Sequence, residues 1–353
     1  MTRLLAFFLA IMVFAPFSPA QAQTDDEGID DAGFYRFLND VRVEAIKKGI
    51  RPETVDLAFQ DAEPIRKVVR HDRSQSEFKL TFDIYRNRVI SPTNIRVGKA
   101  KAREYDDLLT QIENRYGVQR RFILAIWGME TRYGAITGDI PLVPAIATLA
   151  YDKRRSAFFK EQLMATLKML DRGYIDIDSM KGSWAGAMGQ PQFIPTSYLA
   201  YAADFDGDGK RDIWRNEGDV FASIANYLAK HGWDNKTTWG RQVRLPKGFS
   251  RTDFAAIART SGSGCRAMRA NITEAKSLAQ WQAMGVRNLD GSALPTGRTD
   301  LTAWLVLPDG SDSLSASNPT AFLAYGNYKA ILGYNCAHLY AATVGLLADA
   351  IAE

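Results

Sequence analysis

The stretch "AIWGMETRYG", Ala125–Gly134, decides how the chain is read. From Phe122 to Met129 no residue is charged; Arg120 and Arg121 precede the run and Glu130 closes it. An apolar run of this kind reads as a buried helix. A surface helix has no need of such an arrangement, and a core helix avoids a carboxyl group. At the end of an apolar helix a carboxyl is partly desolvated, which disfavours its ionised form and keeps the proton on at neutral pH. A neutral carboxylic acid can give that proton to a leaving oxygen. The plain alternative is a helix-end glutamate paired with Arg132, and periodicity alone favours it.

Outward from this helix the pattern is mostly helical. Phe34, Phe37, Leu38, Val41 and Ala45 recur at helix spacing. Gly49-Ile50-Arg51-Pro52 breaks that helix and restarts another, with Pro52 in the first turn. Residues 99–130 read as two helices broken at Tyr116-Gly117-Val118, residues 141–170 as helical, and residues 219–231 as a helix ended by Gly232. The composition shifts after Trp239. "RQVRLPKGF" (241–249) reads as a strand and turn, and "LTAWLVLPDGSDS" (301–313) is the clearest strand in the chain, closed by a Pro-Asp-Gly turn. The expected fold is mainly α (α+β): a helical region over 32–240, a small partly β subdomain over 241–318, and a C-terminal helix within 319–353 that completes the core.

The chain has 353 residues, a formal charge of +4, and 24% charged residues, values of an ordinary globular protein without the clustered basic face of a nucleic-acid binder. Thr2-Arg3, the apolar run Leu4–Ala15 and the ending Ala20-Gln21-Ala22 read as a secretory signal over residues 1–22. The run is too short to span a bilayer, and residues 23–31, "QTDDEGIDD", read as a flexible acidic start to the mature chain. An exported, periplasmic protein is expected, with no membrane span, no nucleic acid and a monomeric state. Cys265 and Cys336 are the two cysteines; in an oxidising compartment they could pair or remain as buried thiols.

Two further stretches carry chemistry. "KGSWAGAMGQPQFIPTSY" (Lys181–Tyr198) sets Gly182, Gly186 and Gly189 among Ser183, Gln190, Gln192 and the flat faces of Trp184, Phe193 and Tyr198. Glycines let a backbone approach a ligand closely. Neutral hydrogen-bonding groups beside aromatic faces suit a sugar better than a phosphate, and no Lys-Ser or Lys-Thr pair follows the last glycine. The plain alternative is a well-packed irregular connection. "DFDGDGKRDIW" (Asp204–Trp214) puts Asp204, Asp206 and Asp208 at loop positions one, three and five, Gly209 at six, Lys210 at seven and Asp212 at nine. This is the spacing of an EF-hand calcium loop, in which alternate carboxylates converge on one cation and the seventh position offers its backbone carbonyl. Arg215 stands at position twelve, where a bidentate glutamate is expected, so Glu217 or Asp219 would close the shell from a lengthened loop. The alternative is an acidic turn without metal.

Taken in order, "GMETRYG", "GSWAGAMGQPQFIPTSY", "DFDGDGKRDIW", "SIANYLAKHGW" and "YGNYKAILGYN" resemble the lytic murein transglycosylases of the membrane-bound type B family, from about residue 32 to the end. The resemblance implies a lysozyme-like catalytic core that cleaves the β-1,4 bond between N-acetylmuramic acid and N-acetylglucosamine in peptidoglycan glycan strands and leaves a 1,6-anhydromuramoyl end. It implies Glu130 as the single catalytic acid and base, Ser183, Gln192, Tyr227, Tyr334 and Asn335 in the sugar groove, and Tyr85 as a further contact. It gives calcium a structural role at Asp204, Asp206, Asp208, Lys210 and Asp219, with no cofactor in catalysis. Pro191 departs from the family's pattern and removes one backbone donor. A hydrolytic muramidase, or a calcium-stabilised wall-binding protein without turnover, are the competing readings.

Overall fold

The computed structural model describes residues 29–74, 80–258 and 272–353. The expected signal segment, most of the acidic start and Cys265 lie outside these residues.

The chain runs through α1 (Asp31–Lys47), α2 (Pro52–Phe59), α3 (Arg66–Ser74), α4 (Phe82–Val89), α5 (Pro92–Glu104), α6 (Asp106–Tyr116) and α7 (Arg120–Thr131). Next come β1 (Ile140–Pro141), α8 (Leu142–Tyr151), α9 (Ser156–Asp171), β2 (Lys181–Gly182), α10 (Pro195–Tyr201) and α11 (Glu217–Lys230). The remainder is β3 (Gly240–Arg244), α12 (Arg251–Ile257), β4 (Lys276–Ser277), α13 (Leu278–Ala283), β5 (Arg287–Asn288), β6 (Thr302–Val306), β7 (Ala321–Ala324), α14 (Gly326–Tyr334) and α15 (His338–Ala352). The protein is mostly helical with a small antiparallel sheet, as the sequence predicts. Two helices follow the sheet where one C-terminal helix was expected: the chain leaves helical geometry at Asn335, whose backbone is extended at φ −139° and ψ 122°. Among the described residues no single helix is long and apolar enough to cross a membrane.

The described residues fall into two compact units, each made of separated stretches of chain. The first is drawn from residues 80–129 and 225–353. Its helical core is built on α7, in which Phe122 to Ile126 are fully buried and Trp127 and Met129 nearly so. Phe122 meets Trp233 edge-on at 4.6 Å. The sheet, ordered β4-β6-β7-β3-β5, is antiparallel throughout and pairs Leu305 with Leu323 and Val243 with Ala321. Alternate residues along a strand point to opposite faces. One face therefore packs Val243, Leu305 and Leu323 against Trp281 of α13. The opposite face sets Phe322 against Phe82 and Trp239, each at 5.5 Å between ring centres. Trp239 donates its indole N–H to Asp349 at 2.9 Å, and the same carboxylate takes Arg121 at 2.5 Å.

The second unit is drawn from residues 29–74 and 130–224. Helix α8 is apolar on nearly all sides and is buried from Leu142 to Ala150 except at Pro144. It packs on α9, with α1, α2 and α3 also against it. Asp171 at the end of α9 ties α2 down, accepting from Arg51 and from the Thr54 hydroxyl, each at 2.9 Å. Asp72 of α3, 2% exposed, is matched by Arg154 and Arg155 from the α8–α9 connection. Burying a carboxylate demands such pairing.

Candidate functional site

Glu130 is the penultimate residue of α7 and is half-buried. The backbone just beyond it is strained. Arg132 and Tyr133 sit at φ 51° and 61°, in the left-handed region. Each such non-glycine residue costs on the order of 1–3 kcal/mol and persists only where its surroundings hold it. Among the described residues, Gln192 at φ 51° is the one other non-glycine position there.

The surroundings that hold this turn belong to the glycine-rich loop. Thr131, 1% exposed, donates its hydroxyl hydrogen to the carbonyl of Gln190 at 3.0 Å and accepts from the N–H of Gly134 at 3.1 Å. Gln192 spends its side-chain amide on carbonyls, those of Thr137 at 3.0 Å and Gly189 at 2.9 Å. Gly138, at φ +89°, lies so close to the loop that a Cβ there would fall 2.4 Å from the carbonyl of Gly182. The loop itself is a narrow hairpin, closed by Met188 and Phe193 exchanging both backbone bonds at 2.8 and 3.1 Å. Gln190 at its tip is buried and bolted onward: its N–H donates to Ile213 at 2.8 Å and its side-chain amide to Trp214 at 3.0 Å. Ser183, half-buried, accepts from the Ala187 N–H at 3.0 Å, and among the described residues its own hydrogen meets no acceptor.

The acidic loop follows α10 in the same unit. Carboxylate oxygens of Asp204, Asp206 and Asp219 lie within 4.8 Å of one another. Asp208 is not in that group; its carboxylate caps the N–H of Lys210 at 2.8 Å. Gly207 and Gly209, at φ +79° and +88°, turn the chain so that Asp204 takes both their N–H groups. Asp219 is fully buried and accepts from Phe205 and Asp212, both at 2.7 Å. Burial pushes its carboxyl up to about 6 despite those two donors, and the charges of Asp206 and Asp204 add to the rise. A desolvated carboxylate beside two others is relieved by a cation, and an all-oxygen donor set fits a hard one such as calcium. Asp212 turns back to cap Trp214 and Arg215, each at 3.0 Å. Of the candidates for the closing ligand, Asp219 is the one that joins the group.

The other expected groove residues lie in the first unit. Tyr227 of α11 donates its hydroxyl to the carbonyl of Gly333 at 2.5 Å. Its ring stacks on His231 at 4.1 Å and meets Tyr334 edge-on at 4.8 Å. Asn335, 7% exposed, ends α14, its N–H bonded to Ile331 at 3.2 Å. Tyr227, Tyr334 and Asn335 thus form one cluster, and Tyr85 of α4 is half-buried. Cys336, next to Asn335, is buried and disulfide-bonded.

Thr131 was not singled out by the sequence, and Gln190 was read only as one polar group among several. The signal available was their place inside the two motifs, not their type.

Against known families, the model of the transglycosylase SLT domain matches residues 33–349. The chain belongs to this family of lytic transglycosylases. As a transglycosylase SLT chain it is 32% identical over 274 residues to membrane-bound lytic murein transglycosylase B of Escherichia coli. That match covers 76% of the present chain and 66% of the relative, a little under two thirds of its length. SltB3 of Pseudomonas aeruginosa superposes with a TM-score of 0.80 at 41% identity, covering 90% of this chain and 79% of that one. It has been solved in complex with NAG-anhNAM-pentapeptide and with NAG-NAM-pentapeptide. The Escherichia coli lytic transglycosylase Slt35, solved in complex with calcium, superposes at 0.72 with 26% identity, covering 92% of this chain and 93% of that one.

Proposed function

We propose that the protein is a peptidoglycan lytic transglycosylase that cleaves the β-1,4 bond between N-acetylmuramic acid and N-acetylglucosamine, with Glu130 as acid and then base. The observation that carries this reading is the placement of Glu130: a half-buried carboxyl at the end of a buried helix, followed by a strained turn strapped to the glycine-rich loop. Strain held in place by its surroundings concentrates at functional sites. Membership of the family supports the reaction class, and SltB3's complex with an anhydro-sugar ligand supports the anhydro product.

In this mechanism Glu130 gives its proton to the glycosidic oxygen as the C1–O bond breaks, and the N-acetylglucosamine leaves as the alcohol. The carbonyl oxygen of the muramic 2-acetamido group stabilises the positive charge at C1. Glu130, now ionised, takes the proton of the C6 hydroxyl, and O6 closes on C1. One carboxylate suffices because the sugar supplies its own nucleophile; a hydrolase would need a placed water and, as a rule, a second acid. Ser183, with a hydrogen to give, and Gln192, with its side-chain oxygen to accept, offer a complementary pair to sugar hydroxyls and amides. Tyr85, Tyr227, Tyr334 and Asn335 contact the glycan as well. Asp204, Asp206 and Asp219 would hold calcium, which would pin the loop and take no part in the chemistry.

The protein acts as an exported monomer in the periplasm, with residues 32–240 and 319–353 supplying the catalytic region and 241–318 a subdomain. Mass analysis of wall digests tests the reading. Anhydromuramoyl ends support it; reducing ends mean a hydrolytic muramidase, and binding without products means a wall-binding protein.

A further inference from the structure

We propose that Thr131 is a positioning residue for Glu130: its hydroxyl locks the strained turn after the carboxyl to the tip of the glycine-rich hairpin and so fixes where the acid points. The inference rests on the reading of Glu130 as the acid and base. Thr131 follows Glu130 directly, so a rotation of its backbone carries the glutamate with it. Its hydroxyl bridges two partners, the Gln190 carbonyl at 3.0 Å and the Gly134 N–H at 3.1 Å. The second of these closes the turn that contains left-handed Arg132 and Tyr133. The first fastens that turn to a rigid base, because Gln190 is itself held through its N–H by Ile213 and through its side chain by Trp214.

The anchor is more than a packing contact. Arg132 and Tyr133 would relax toward ordinary backbone angles if released, since side chains other than glycine rarely stay in the left-handed region. Gln192 shows the same conformation on the loop side and reaches back to Thr137. The turn and the loop are therefore two strained segments that brace one another, with Thr131 as the bolt nearest the carboxyl. A displacement of about 1 Å at a catalytic group can cost on the order of a hundredfold in rate while leaving the rest of the binding surface in place.

The test compares Thr131→Val, which keeps the shape and removes the hydroxyl, with Thr131→Ser, which keeps the hydroxyl. Both are measured beside Glu130→Gln on purified peptidoglycan, with thermal unfolding of each. The expected result is a fall of about ten- to a hundredfold in kcat for Thr131→Val with KM changed less than about twofold. Thr131→Ser should stay within about threefold of wild type, and Thr131→Val added to Glu130→Gln should lower the residual rate no further. A kcat for Thr131→Val equal to wild type, or equal losses in the Ser and Val variants alongside equal losses of melting temperature, would overturn the inference. If Glu130→Gln turns over as fast as wild type, the underlying reading of the site fails and this inference with it; if Glu130→Gln is dead and Thr131→Val turns over at the wild-type rate, this inference alone fails.

Discussion

The hydroxyl of Tyr227 is bonded to the backbone carbonyl of Gly333, at 2.5 Å, one residue before Tyr334 and two before Asn335. A side chain expected to meet sugar therefore spends its hydrogen inside the protein. The bond ties α11 to the chain just before Tyr334 and Asn335, and the ring stacks on His231 as a second support. Tyr227→Phe keeps the stack and loses the bond. It should cost about 1 kcal/mol of stability and raise KM for glycan more than it lowers kcat. Denaturant unfolding and steady-state kinetics check both.

Chelation should lower the melting temperature. A cation held at a hundred times its dissociation constant stabilises the folded state by about 2.7 kcal/mol. The buried carboxylate of Asp219 is the ligand whose loss should matter most. Asp219→Asn should melt lower than wild type in calcium and show no further response to EDTA. An unchanged wild-type melting temperature with EDTA would remove calcium from the account.

His338 makes stability depend on pH. Burial pushes its imidazole down to about 4 from an ordinary value near 6.5, against Tyr328, whose ring lies parallel to it. Between those two values the unfolded chain takes up a proton that the folded chain does not. Stability from this residue is therefore full above pH 6.5 and falls as the pH drops toward 4. The residue keeps some contact with solvent, so the loss should be no more than about 2 kcal/mol. His338→Gln should flatten the slope of unfolding free energy between pH 6.5 and 4.

Gly345→Ala should destabilise, although alanine favours a helix. A Cβ at Gly345 would fall 2.2 Å from the Trp239 ring. That ring cannot retreat: it is fully buried and bonded to Asp349. Overpacking of this kind costs about 1–3 kcal/mol, more than the ~1 kcal/mol that alanine gains over glycine in a helix. Urea unfolding measures the difference.

These features were unequally legible in the sequence. Helix α7 could be read because an uncharged run broken by one carboxyl has few structural explanations. Strand β6 could be read because its apolar residues end on Pro308-Asp309-Gly310, a turn defined by local chemistry. The acidic loop could be read from its alternate carboxylates, but Asp208 points to its own backbone, and which acid closed the group depended on the path of residues 212–219. The end of α14 carries Gly333 inside its last turn, but no glycine or proline follows Tyr334 to announce the break. The strap between Thr131 and Gln190 joins residues 59 apart, and its partner is a backbone carbonyl, which every residue carries. Each compact unit is assembled from separated stretches, so no local pattern could show which segments would share a core.

The central claim is that Glu130 alone shuttles the proton while the sugar closes a ring on itself. Mass analysis of purified wall digested by wild type and by Glu130→Gln tests it most directly. The account predicts muropeptides one water lighter than reducing-end products from wild type, and none from the folded Glu130→Gln protein. Reducing ends from wild type, or anhydro products at the wild-type rate from Glu130→Gln, would contradict it.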